Sequence, residues 1–78
     1  MQEFQIRLRS VKEVQDFVDT VTACPYTVTI RDERNKVNGK SFMELFCLDF
    51  SRSLQMLADC GEAEGHDLET RIDQFLVK

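Results

Sequence analysis

Seventy-eight residues are enough for one small domain, which hides only about 60% of its unfolded surface on folding, so no enclosed active-site canyon is expected. The formal charge of -4, from 10 basic and 14 acidic side chains, speaks against a dedicated nucleic-acid binder, and no apolar run reaches membrane-spanning length. With 42% hydrophobic residues but only 3 Gly and 1 Pro, the composition favours a packed core over disorder.

Phe4, Ile6 and Leu8 alternate with Gln5, Arg7 and Arg9, the pattern of a strand with one face on a core and one in water. Ser10 interrupts the alternation. Val11, Val14, Phe17, Val18 and Val21 then recur at helical spacing, with Lys12, Glu13, Gln15, Asp16 and Asp19 on the other side. Ser10 and Glu13 have the spacing of a capping box, which fixes the helix start. Pro25 lacks an amide donor and turns Cys24 away from helical geometry, so the helix ends before it.

Tyr26, Val28 and Ile30 alternate with Thr27, Thr29 and Arg31 in a second strand. A charged turn from Asp32 to Asn35 leads to a short third strand at Val37. Asn38 and Gly39 are read as leaving that strand through positive φ. Ser41 and Glu44 repeat the capping-box spacing, and the helix they open is expected to run to about Phe50. Leu45 and Leu48 can point inward together, but Phe42, Met43 and Phe46 cannot all follow, which predicts a partly exposed apolar patch.

Leu54, Met56 and Ala58 form the inward side of a fourth strand. A polar segment from Cys60 to Gly65 feeds a last helix whose buried stripe is Leu68, Ile72, Phe75 and Leu76. The order is β-α-β-β-α-β-α. Burying three amphipathic helices of this size calls for one face of a four-stranded antiparallel sheet, an α+β open-faced sandwich in a single domain spanning residues 1–78. The other face is expected to carry Arg7, Arg9, Thr27, Thr29 and Arg31.

Charge is unevenly spread: residues 1–58 hold eight basic and eight acidic side chains, residues 59–78 two and six. The three cysteines, Cys24, Cys47 and Cys60, are odd in number and without a close pair, so reduced thiols are expected. Together with His66 and Asp67 they lack the paired spacing of a zinc site, and no metal or cofactor is expected. Gly39-Lys40-Ser41 lacks the glycine-rich body of a nucleotide-binding loop. No signal core or lipidation terminus is evident, and the expectation is a soluble, cytoplasmic chain without a membrane or nucleic-acid partner.

The stretch Val37-Asn38-Gly39-Lys40-Ser41-Phe42-Met43-Glu44-Leu45-Phe46-Cys47-Leu48 resembles the second-helix signature of the histidine-containing phosphocarrier proteins (HPr) of the sugar phosphotransferase system. Asp16-Phe17-Val18 and Tyr26-Thr27-Val28-Thr29-Ile30 also resemble family segments, and the likeness covers nearly the whole chain. It implies the family's sheet order, one-four-two-three, with three helices on one face.

In that family a Gly-Leu-His-Ala-Arg-Pro pattern at the start of the first helix carries the histidine that accepts and passes on phosphate. Aligned through Phe17 and Val18, this chain has Ser10 in the histidine's place, Lys12 as the basic substitute for the arginine, and Glu13 where the proline stands. A phosphohistidine relay needs a neutral imidazole nitrogen at a helix amino end, and a serine hydroxyl forms a poorer phosphoryl donor. Ser10 and Lys12 therefore read as a degenerate phosphocarrier site. The sole histidine, His66, lies in the last helical segment.

Ser41 matches a serine that some family members present to a dedicated kinase, and the apolar residues after it contact partner proteins. The resemblance thus implies a regulatory phosphosite at Ser41 and partner binding through Lys40, Phe42, Met43 and Phe46, without enzymatic activity. Partners would be proteins of the phosphotransferase or carbon-regulation system and a serine kinase. A plain helix cap at Ser41 stands beside that reading. Two other functions stay open: an active phosphocarrier using a relocated histidine, His66, and a small ligand-binding regulatory module.

Overall fold

In the computed structural model, which describes residues 1–77, the chain forms β1 (Gln2–Ile6), α1 (Val11–Thr22), β2 (Val28–Arg31), β3 (Lys36–Asn38), α2 (Phe42–Leu45), β4 (Leu54–Ala58) and α3 (Glu62–Arg71), followed by a 3₁₀ turn at Asp73–Phe75. The strands make one antiparallel sheet in the order β1-β4-β2-β3. The topology is the expected α+β sandwich, three helices against one side of the sheet. Phe4, Met56, Ile30 and Val37 lie side by side across the four strands, and Ile6 pairs with Leu54. These positions face the helices. Val14, Phe17, Val18 and Val21 of α1 and Leu68 of α3 complete the core with Ile72 and Phe75.

The opposite side of the sheet carries Glu3, Gln5, Thr29, Arg31, Gln55 and Leu57. Thr29 and Arg31 are where the alternation put them. Arg7, Arg9 and Thr27 fall outside the paired strands, because β1 stops at Ile6 and β2 starts only at Val28. Leu8 is nevertheless fully buried beyond the end of β1. The outer edge of β1 is partly covered: Arg7 N–H donates to the Phe75 carbonyl at 2.8 Å, and Val77 N–H to the Gln5 carbonyl at 2.9 Å. Leu76 pairs with Ile6 there in a single antiparallel bridge and is not part of the last helix.

Four further expectations are corrected. Val11 is 62% exposed, since it occupies the first turn of α1, where the helix has not yet reached over the sheet. No glycine among the described residues takes positive φ. Gly39 is instead required by close approach: a Cβ there would lie 2.7 Å from Cγ1 of Val28, while its N–H donates to the Val28 carbonyl at 2.8 Å. The turn is made by Asn38, whose Oδ1 accepts from Lys40 N–H at 2.9 Å and whose carbonyl accepts from Ser41 N–H at 3.1 Å.

The second helix ends at Leu45, not near Phe50. Phe46, Cys47 and Leu48 each donate to the carbonyl three residues back, so the chain tightens and turns away. Finally, α3 begins at Glu62, inside the segment read as polar linker, with Gly61 at its N-cap and Glu64 Oε1 accepting from Gly61 N–H at 3.3 Å. It ends at Arg71, and a separate 3₁₀ turn delivers Phe75 to the core.

Candidate functional site

The start of α1 is built as the capping spacing predicts, with one shift. Ser10 Oγ accepts from Glu13 N–H at 3.1 Å, but the Glu13 carboxylate reaches back to Arg9 N–H, at 3.0 Å, and not to Ser10 itself. The Ser10 hydroxyl is thereby engaged as a cap. Lys12 points along the helix, its Nζ 3.3 Å from Asp16 Oδ2 in an exposed ion pair. Arg7 donates to the Ser51 carbonyl at 3.2 Å, tying the loop before α1 to the loop before β4.

His66 is exposed and sits within α3, on the turn next to Gly65, which packs against the side chain of Gln2. The same part of α3, through Ala63, Glu64 and Asp67, lines a groove with Ala23 and Cys24 at the far end of α1. Twelve helical residues span about 18 Å. The imidazole therefore belongs to the end of the molecule opposite Ser10, and the fold does not bring it to Lys12.

At α2 the sequence-predicted residues come together. Ser41 is half-buried and its Oγ accepts from Glu44 N–H at 3.4 Å, a long capping bond. Met43 is 75% and Phe46 45% exposed, and Phe42 is half-buried against the core. Phe46 stands edge-on to Phe42, ring centroids 4.9 Å apart, and edge-on to Phe50 at 6.1 Å. The result is a row of three rings with Met43 beside it. Lys40 is different: its Nζ donates to the Cys24 carbonyl at 2.6 Å, so the ammonium is directed inward to the end of α1 and not toward a partner.

Asp32 and Asn35, expected only as turn residues, and Asp49, expected inside the second helix, hold this surface in place. Asp32 Oδ1 accepts from Arg34 N–H at 2.8 Å and Asn35 N–H at 2.6 Å, and its Oδ2 accepts from Asp49 N–H at 3.0 Å. Asn35 Nδ2 donates to the Cys47 carbonyl at 3.3 Å. Asp49 Oδ1 accepts from both the N–H and the hydroxyl of Ser51, at 3.0 and 2.5 Å. Both carboxyls lie below the ordinary aspartate range: Asp32 because backbone amides, Asn35 first, favour its anion, and Asp49 because of the Ser51 hydroxyl and amide. An Asp two and three residues before unpaired amides is a legible turn signal, but nothing in it reveals the reach to Asp49.

The cysteines are free thiols, Cys24 and Cys60 buried and Cys47 exposed. Among the described residues no three His, Cys, Asp or Glu side chains are grouped to hold a metal, and no helix is long and apolar enough to cross a membrane.

No protein-family profile matches the chain, and no curated protein is similar to it in sequence. Among solved structures it is similar to HPr-C-His from Thermoanaerobacter tengcongensis, at 21% identity over 95% of this chain and 92% of that one, with a TM-score of 0.75. The chain has the HPr fold. Identity this low carries the fold and leaves the site to be argued from the residues present.

Proposed function

We propose that this is an HPr-like protein that does not relay phosphate through the start of its first helix and acts instead by protein contact at α2. The observation that carries the reading is the contrast between two helix starts. At α1 the serine that the resemblance sets at the carrier position has its hydroxyl engaged as a cap. At α2 a serine is followed by an exposed Met and a row of aromatic rings. Apolar groups of that size left in water favour association with another protein surface.

The reading places Met43 and Phe46 at the centre of the contact, with Phe42 and Phe50 supporting them. Lys40 supports the surface from within. Ser41 is the regulatory position: a phosphate there would add about -1.5 to -2 charges beside the apolar row and change what the surface attracts. The partners on this reading are cytoplasmic proteins of the phosphotransferase or carbon-regulation system, with a serine kinase acting on Ser41. The protein itself carries out no reaction.

Incubation with phosphotransferase enzyme I and labelled phosphoenolpyruvate tests the first half. The chain is expected to stay unlabelled, and stoichiometric acid-labile phosphate would overturn the proposal. For the second half, a partner captured through the wild-type chain is expected to bind Met43→Ala and Phe46→Ala at least tenfold more weakly. Equal affinity for Ser41→Asp and wild type would remove the regulatory claim.

A further inference from the structure

The α2 patch has an anchor outside the helix. Phe50, the last ring of the row, is not held by α2, which ends at Leu45. It follows directly on Asp49, whose N–H donates to Asp32 Oδ2 at 3.0 Å, the tie to the β2–β3 turn nearest the ring; Asn35 to the Cys47 carbonyl and Arg52 to Glu33 are the other two. On its other side, Ser51 is fixed by the Asp49 carboxylate at 3.0 and 2.5 Å. Phe50 thus sits between two residues each held by a carboxylate, Asp49 by Asp32 and Ser51 by Asp49.

We infer that Asp32 is an acid-sensitive clasp that positions the aromatic row, its ionised carboxylate holding the Asp49 amide beside Phe50 to the β2–β3 turn. An ionised carboxyl accepts at both oxygens, which three donors on two loops require. Protonation turns one oxygen into a hydroxyl and removes the negative charge that the amides favour, which weakens the contact with Asp49 N–H or those with the Arg34 and Asn35 amides. The charged groups around Asp32 are Arg31 of β2, Glu33 and Arg34 of its own turn, Asp49 and Arg52 of the clasped loop, and Glu3 of β1. Arg52 is itself paired with Glu33 at 3.0 Å, so the amides remain the main partners of the anion. The backbone bonds hold the Asp32 carboxyl below its ordinary range, so the clasp stays closed at neutral pH and opens only in strong acid. The clasp rests on the proposed docking role only for its consequence in binding.

The test uses proton–nitrogen and aromatic proton–carbon correlation spectra of the intact chain through an acid titration, with Asp32→Asn and Asp49→Asn alongside. The Asp49, Arg34 and Asn35 amides are expected to move together with one midpoint below the usual aspartate value. The Phe46 and Phe50 ring signals should follow the same midpoint. In Asp32→Asn the Asp49 amide and the ring signals should be displaced at neutral pH and lose that titration. In Asp49→Asn the Asp32 titration should persist. Ring signals that ignore Asp32→Asn, or that titrate only with Asp49, would overturn the clasp. No partner is present in this experiment, so its failure is distinct from failure of the docking proposal.

Discussion

The ring of Phe75 stands edge-on to that of Phe17, centroids 5.4 Å apart and planes at 84°, locking the end of the chain onto the first helix. Both rings are essentially fully buried. The carbonyl of Phe75 also receives the Arg7 N–H, so one residue closes the core and pins the edge of β1. Phe75→Ala should therefore lower stability by about 3–5 kcal/mol, the range for large-to-small changes at buried aromatics. Phe75→Leu keeps most of the apolar area and loses chiefly the ring pair, about 0.5–1.5 kcal/mol. Urea unfolding of the three proteins measures both. Equal loss in the two variants would mean that the ring contact, not the buried volume, holds the C-terminal turn.

Much of this architecture is written in local pattern. Leu54, Met56 and Ala58 alternate and are all buried; Ser10 stands three residues before Glu13 and caps α1. Such features depend on neighbours a few positions away, so spacing reveals them. The end of α2 does not. Phe46, Cys47 and Leu48 contain no glycine or proline to stop a helix, and the chain leaves α-helical geometry where Asn35 takes the Cys47 carbonyl and Asp32 takes the Asp49 amide. Those bonds join residues 12 and 17 positions apart, and no local rule specifies them. The candidate site shows the same division. Phe42, Met43 and Phe46 are legible as a partly exposed apolar patch, whereas Phe50 and its supports are not. The resemblance sets Lys40 among the partner-binding residues, and its inward direction is not legible because sequence gives a side chain's type and not where it points.

Gly39 is the narrowest point between the β3–α2 turn and β2. An added methyl would stand 2.7 Å from Cγ1 of Val28 and 3.2 Å from Cγ1 of Ile30, both fixed core side chains. Overpacking of this kind costs about 1–3 kcal/mol. Gly39→Ala should lower Tm by roughly 4–8 °C for each kcal/mol lost in a domain of this size. Since φ at Gly39 is not positive, a companion Val28→Ala change should recover part of the loss by making room. Thermal unfolding followed by circular dichroism reads the pair, and absence of any recovery would place the cost in the backbone rather than in the contact.

Lys40 bridges two helices that are not neighbours in sequence. Its Nζ lies 2.6 Å from the Cys24 carbonyl just beyond α1, while its own N–H is held by Asn38 at the entrance to α2. A cation near the carbonyl end of a helix also meets the negative end of the helix dipole. Lys40→Met keeps the aliphatic stem and deletes only the charged donor, so it should cost about 1.5–3 kcal/mol, the range for hydrogen bonds to charged groups. Lys40→Arg places a broader head in the same gap and should not fully restore the contact. Amide exchange should accelerate at the end of α1 and the start of α2 in the Met variant. If exchange there were unchanged, the bond would be incidental to how the helices meet.

The thiols divide by environment, and the division has a pH signature. Burial, more than any neighbouring charge, pushes Cys60 above its ordinary value of 9.0, and burial together with the Cys24 contact pushes Tyr26 up as well. In the unfolded chain Cys60 loses its proton near the ordinary value, while the folded chain still holds it. The unfolded state then binds fewer protons, so stability falls as pH rises from the ordinary thiol value through the raised one; below the ordinary value the contribution is complete. Cys60→Ala should flatten that decline, with Tyr26 supporting a further fall at higher pH. Urea unfolding under reducing conditions between about pH 8 and pH 10 measures the slope. Under native conditions iodoacetamide should modify exposed Cys47 first, with Cys24 and Cys60 reacting only as the chain opens. Mass spectrometry of a time course gives the order, and early labelling of Cys60 would show that the junction between β4 and α3 opens locally, without global unfolding.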